Sequence, residues 1–145
     1  MNLEIINKPL QLEIFGFSGV AINEDYAAKA FELMDRMWKV VKSKQIKNKG
    51  KNIWVYEANH VVFAGVELEQ EENDTGLEKK VVNLGNYAYY KHIGPYQLIK
   101  QSGQNMRNEI ERRGFQKEYP YIEIYGHWMP DETKLETELL MAIKK

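Results

Sequence analysis

Residues 86–96, Asn86-Tyr-Ala-Tyr-Tyr-Lys-His-Ile-Gly-Pro-Tyr96, change from one periodicity to another within a dozen positions. Up to Ile93 the run is rich in rings, which suit a pleated, half-buried surface, so a strand is expected over Asn86–Ile93. Gly94 breaks it. Pro95 sits where a first-turn proline is tolerated, because the amide it lacks is one a helix leaves unpaired. From Pro95 to Arg113 a helix is expected: Tyr96, Ile99, Gly103, Met106 and Ile110 step by three and four, while Gln97, Lys100, Gln104, Arg107 and Glu111 face water. Gly114 stands at the place of a left-handed C-terminal cap. Tyr121–His127 and Leu135–Ile143 then read as strands. The order is strand, helix, strand, strand.

The first half repeats that order without sharing its letters. Leu10–Val20 is an extended segment in which Gly16 and Gly19 suggest a bulge or bend. A helix from Asp25 to about Val41 carries Tyr26, Ala30, Phe31, Leu33, Met34, Met37, Trp38 and Val41 at helical spacing, with Asn23 as its expected cap. Tyr26 and Tyr96, lying on the two helical stripes, are expected in the core. Two strands follow, Asn52–Glu57 and Val61–Leu68, joined at Ala58-Asn59-His60. Lys39–Lys51 reads as a solvated basic connection. Glu67–Glu78, acidic around Asn-Asp-Thr-Gly, reads as a linker between a module of about residues 1–70 and one of about 79–145. Two such modules in one domain over 1–145 imply an α+β fold, a mainly antiparallel sheet with both helices on one face and a ligand groove between them.

Composition narrows the chemistry. The 145 residues suit one compact soluble domain, and 20 Lys+Arg against 21 Asp+Glu leave no global field to steer nucleic acid or an anionic membrane. Zero cysteines exclude disulfides, thiolate nucleophiles and Cys-based zinc sites, and fit a reducing cytoplasm. The amino terminus lacks the plan of a signal peptide, and no apolar run approaches a membrane span, so a cytoplasmic location is expected. The three histidines lack metal-ligand spacing, and no phosphate loop, dinucleotide fingerprint, nucleophile elbow or helix-turn-helix appears; no metal, cofactor or direct nucleic-acid contact is expected. His92, at the strand-to-helix corner, is read as structural before it is read as a base.

Tyrosines number nine against five phenylalanines and three tryptophans, so most rings carry a hydroxyl that wants a partner when buried. Strand parity places Tyr121, Glu123, Tyr125 and His127 on one face, with Ile122 and Ile124 on the other. Two readings stand for Glu123. On a covered face it must be protonated, bonded to tyrosine hydroxyls or matched by a cation; on an open face it is an ordinary surface carboxylate. Trp54 and Tyr56 share a face of one strand, Val61, Phe63 and Gly65 a face of the next, and Tyr87 and Tyr89 a face of a third. Each ring alone reads as a cross-strand pair. Together with one carboxylate they form the wall a lipophilic cation requires. His127-Trp128-Met129-Pro130-Asp131 is a candidate rim.

Gly85 to Tyr96, the following helix, Tyr119-Pro-Tyr-Ile-Glu-Ile-Tyr125 and the closing strand Leu135–Ile143 together resemble the GyrI-like small-molecule-binding domain, which also forms the effector-binding domain of AraC-type and MerR-type multidrug regulators. Trp54-Val-Tyr56 and Val62–Glu67 extend the resemblance more loosely into the first half. It implies two strand-helix-strand-strand (SHS2) modules related by a pseudo-twofold axis, in the stand-alone form, and it places Glu123 where relatives meet cationic lipophilic ligands. The expected ligand-binding residues are then Glu123, Tyr56, Tyr89, Trp54, Tyr125, Phe63 and Trp128, in a non-enzymatic sensor or sequestering module for lipophilic, cationic or aromatic compounds. The resemblance also implies two alternatives. One is a hydrolase of cyclopropane-containing electrophiles in which Glu123 works with Tyr89; the other is a protein that interacts with gyrase or with a separate regulator.

Overall fold

The structure, a computed structural model, describes residues 1–144. Its strands are β1 (Glu4–Ile6), β2 (Leu10–Val20), β3 (Ile53–Tyr56), β4 (Val61–Val66), β5 (Glu78–Leu84), β6 (Tyr87–Ile93), β7 (Gln116–Tyr125) and β8 (Glu136–Lys144), and its long helices are α1 (Tyr26–Lys44) and α2 (Ile99–Arg112). The fold is α+β with antiparallel strands, and the two strand-helix-strand-strand runs are β2-α1-β3-β4 and β6-α2-β7-β8. The chain divides into two compact units, Gln11–Asn83 and Met1–Leu10 with the chain from Leu84 onward. No described helix is long and apolar enough to cross a membrane.

In the Gln11–Asn83 unit the strand order is β3-β4-β2-β5. Along α1 the fully packed positions are Ala30, Leu33, Met37 and Val41, spaced three and four apart; Met37 and Val41 lie in one cluster with Phe15, Ile46, Val66 and Leu68. β2 runs unbroken, so the expected interruption at Gly16 and Gly19 does not occur. Gly16 is directly opposite Gly65. A Cβ on Gly65 would stand 2.5 Å from the Phe15 carbonyl oxygen, and one on Gly16 would overlap that of Ala64; the two strands approach too closely there for any side chain. The helix cap is Asp25, whose carboxylate accepts the Ala28 amide at 3.2 Å. Asn23 instead takes a left-handed φ of 56° in the short turn before it, a conformation its small polar side chain tolerates.

The charge-biased stretches are paired rather than simply solvated. The Lys49 amide donates to the Glu67 carbonyl at 2.9 Å and that of Glu69 to Lys47 at 3.2 Å, with Asn48 and Leu68 opposed between them. Each run of like charge is thereby relieved by the other. The end of the expected linker begins β5, whose Glu78 carboxylate accepts from the Ser18 hydroxyl at 2.6 Å.

In the other unit the order is β1-β6-β8-β7. β1 pairs Glu4 with Tyr89 and Ile6 with Tyr87, so the first residues belong to the unit that holds β6, and β5 to the other. Leu139, Met141 and Ile143 of β8 and Ala88 of β6 pack against Ile99, Met106 and Ile110 of α2. Burying Met106 and Ile110 completely stabilises the unit by about 1.5–3 kcal/mol each. Helix α2 begins later than Pro95, after a tight turn at Tyr96–Leu98. Tyr96 is therefore 40% exposed, not core. β7 ends at Tyr125, leaving His127 exposed beyond the strand.

Candidate functional site

Register decides which side chains meet. Tyr121, Glu123 and Tyr125 of β7 stand opposite Met141, Leu139 and Thr137 of β8. Met141 and Leu139 pack on α2, so the Tyr-Glu-Tyr face is the helix side of its sheet, not an open surface. Glu123 is 8% exposed. Its carboxylate is held at both oxygens: the Tyr125 hydroxyl donates to Oε1 at 2.6 Å and the Tyr121 hydroxyl to Oε2 at 2.8 Å. Phenols two residues either side along a strand reach the same carboxylate because alternate side chains leave in one direction. Hydrogen bonds to an ionised acceptor are short and strong, and here they offset part of the desolvation cost of a buried carboxylate.

Helix α2 and the turn before it add to this face. The Tyr96 ring meets Tyr125 edge-on, centroids 5.7 Å apart at 84°. The Arg107 guanidinium lies over the Tyr121 ring, 5.5 Å from its centroid. At Gly103 a Cβ would have ordinary contacts, 3.5 Å from the Tyr121 hydroxyl and 3.6 Å from Arg107 Nη1. That glycine leaves a small space beside the phenol; helix and sheet are not pressed together there. At the corner, His92 Nε2–H donates to the Pro95 carbonyl at 3.0 Å and Nδ1 hydrogen-bonds with the Ser102 hydroxyl at 2.7 Å. His92 is buried and joins β6 to the start of α2. The Thr137 hydroxyl beside it is buried without a hydrogen-bond partner among the described residues.

The Gln11–Asn83 unit carries a second set of rings. Trp54 and Tyr56 stand opposite Ala64 and Val62, on the side covered by α1. Phe31 meets Trp54 edge-on at 5.0 Å, and Tyr26 meets Tyr56 at 5.9 Å. The Tyr26 hydroxyl bonds His60 Nδ1 at 2.7 Å, which keeps Tyr26 half-buried at the surface and out of the core.

Three expected site residues do not join either set. Tyr89 stands opposite Leu140, on the face of its sheet away from Glu123, and donates to Glu138 Oε2 at 2.6 Å. Burial first, and the Glu138 carboxylate second, push the Tyr89 hydroxyl well above its usual range, so it stays protonated. Phe63 lies opposite Ser18 and Val55, on the face of its sheet away from Trp54 and Tyr56, with Lys80 at 6.0 Å from its ring. Trp128 is 71% exposed in the segment after β7. Tyr121, Tyr96, Arg107, Phe31 and Tyr26 enter the two sets unannounced by the site reading. Parity alone already placed Tyr121 beside Glu123; Arg107 was hidden by helical periodicity, which assigns it to the water-facing side. Among the described residues no three His, Asp or Glu side chains gather as metal ligands.

No family model matches the chain, and no curated protein matches it by sequence. Solved structures do match it by shape. The C-terminal domain of EcmrR superposes with a TM-score of 0.74 at 15% identity, over 100% of this chain and 99% of that one. SAV2435, solved bound to tetraphenylphosphonium, gives 0.67 at 17% identity over 99% and 94%. A hydrolase from Listeria innocua gives 0.56 at 12% identity over 98% and 91%. Identities this low speak to the fold, which is the GyrI-like α+β fold. Binding of a small molecule is a property of at least one protein that shares it.

Proposed function

We propose that this protein is a GyrI-like binding module for lipophilic, cationic or aromatic small molecules, and that the ligand meets the Tyr121–Glu123–Tyr125 face of its second module. One observation carries the reading: a carboxylate that is 8% exposed and held between two phenols, one of which meets the Tyr96 ring edge-on. A buried negative charge beside ring faces attracts an organic cation twice, by charge pairing and by the ring quadrupole. The apolar body of such a ligand replaces water against the rings. The likeness to SAV2435 with tetraphenylphosphonium supports this class of ligand.

The test is calorimetric titration of the wild type and Glu123→Gln with tetraphenylphosphonium and with the neutral triphenylphosphine oxide. Removing the charge while keeping the side-chain shape should weaken the cation by about tenfold and the neutral compound by less than about twofold. Equal loss for both would remove charge pairing from the reading.

A hydrolase is the second reading, favoured by the two phenol donors on the carboxylate and by the likeness to the Listeria innocua hydrolase. Glu123 would then orient or activate water, with Tyr121 or Tyr125 supplying the proton. Turnover of a cyclopropane-containing electrophile, abolished by Glu123→Gln, distinguishes it; stoichiometric uptake without product leaves the binding module.

A further inference from the structure

Near the end of α2, Arg112 and Arg113 share the carboxylate of Glu109 at 2.6 and 3.0 Å. Arg107 is different. It is half-buried, makes no ion pair among the described residues, and lies across the face of Tyr121, whose hydroxyl donates to Glu123. A guanidinium at 5.5 Å from the ring centroid is within the range of ring-face attraction. It takes the position over the ring that an organic cation would also prefer. Gly103, without a side chain, leaves Nη1 and the Tyr121 hydroxyl bordering the same small space.

We propose that Arg107 is a specificity-determining residue of this face, and that it selects ligands carrying an anionic group beside their cationic, aromatic body. This rests on the Glu123 reading above. A ligand with a single positive charge gains from Glu123 but is repelled by the guanidinium over Tyr121 and must displace it. A zwitterion of suitable span places its cation toward Glu123 and its anion against Arg107, whose planar fork bonds a carboxylate at two points. The carboxylate and the guanidinium thus make a dipolar site, and the ligand class it fits is a lipophilic zwitterion.

Rhodamine B and its ethyl ester test this, because they share one cationic ring system and differ in a single carboxylate. Fluorescence anisotropy with the full chain should show rhodamine B bound more tightly than the ester by about fivefold. Arg107→Gln should erase or reverse that ratio, weakening the acid and strengthening the ester, and Arg107→Lys should restore part of it. The ratio is insensitive to a uniform loss of folded protein, which circular dichroism of each variant monitors separately. An unchanged ratio in Arg107→Gln, with Glu123→Gln weakening both dyes, overturns the role of Arg107 and leaves the Glu123 site standing. If Glu123→Gln changes neither dye, or if neither dye binds the wild type, the site reading fails and this inference with it.

Discussion

Replacing Tyr125 by Phe removes one oxygen and little else. The ring keeps its edge-on contact with Tyr96 at 5.7 Å, so the loss falls on the 2.6 Å hydrogen bond to Glu123. A hydrogen bond to a charged group contributes about 1.5–3 kcal/mol. Tyr125 is only half-buried, so water can reach part of the vacated place, and the lower half of that range applies: about 1.5–2 kcal/mol. For a domain of this size that is a fall in Tm of roughly 3–8 °C. A cycle with Glu123→Gln isolates the pair. If the hydroxyl acts through the carboxylate, Tyr125→Phe should cost at least about 1 kcal/mol less in the Glu123→Gln background than in the wild type. Urea melts of the four proteins give the coupling directly. Additivity to within about 0.5 kcal/mol would refute the claim that Tyr125 serves Glu123, and with it the idea that the tyrosines flank a working carboxylate.

Gly103→Ala should stabilise the protein by about 0.5–1 kcal/mol, since helix propensity improves and the new methyl meets only ordinary contacts at 3.5 and 3.6 Å; a lower Tm would show the space to be tighter than these distances imply. Gly65→Ala should do the reverse, because its Cβ would stand 2.5 Å from the Phe15 carbonyl oxygen; a loss of about 3 kcal/mol or more is expected in a urea melt. Tyr89→Phe should leave tetraphenylphosphonium binding unchanged, because its hydroxyl bonds Glu138 on the other face of the sheet; reduced affinity in the same titration would bring Tyr89 back toward the site. The Glu109 carboxyl is lowered to about 2 by Arg112 and then Arg113. A depressed carboxylate contributes stability that is complete above its unfolded value near 4.5 and lost as pH falls toward about 2, so Glu109→Gln should flatten the Tm profile within that window and nowhere else.

The elements were legible where one periodicity dominates. Tyr96, Ile99, Gly103, Met106 and Ile110 announced α2, and alternation along 121–125 announced the Tyr-Glu-Tyr face, because both periods follow from local backbone geometry. Partnership across the sequence is not local. Nothing in Glu4-Ile-Ile6 indicates that it pairs with β6, and Lys79–Leu84, lying between the expected linker and the strand expected from Asn86, is too short and too charged at its start to announce β5. The same limit applies to the site. Parity grouped Glu123 with its own tyrosines correctly, but which of Tyr89 or Tyr90 shares the face of Glu123 depends on register against β8. That register pairs Tyr89 with Leu140 and Tyr90 with Leu139. Phe63 depends in the same way on its pairing with Val55 and Ser18. A slip of one residue would exchange every such assignment.

The surplus of tyrosine over phenylalanine has a physical reason once hydroxyls are followed to their acceptors. Tyr121 and Tyr125 donate to Glu123, Tyr89 donates to Glu138, and Tyr26 bonds His60. For Tyr121, Tyr125 and Tyr89 the ring supplies apolar area while its tip satisfies a carboxylate that is buried or half-buried and would be costly to leave dry; the Tyr26 bond to His60 lies at the surface. Phenylalanine in place of Tyr121 and Tyr125 would build the same walls but strip both donors from the Glu123 carboxylate. The net charge of −1 belongs to the same logic. A chain without a strong overall field draws a charged ligand through local pairs, and the pair over β7 is mixed in sign: Glu123 under two phenols, Arg107 over one of their rings. A carboxylate alone would favour any organic cation. With the guanidinium 5.5 Å from the Tyr121 ring, selection turns on whether the ligand also carries negative charge, which the two rhodamines separate.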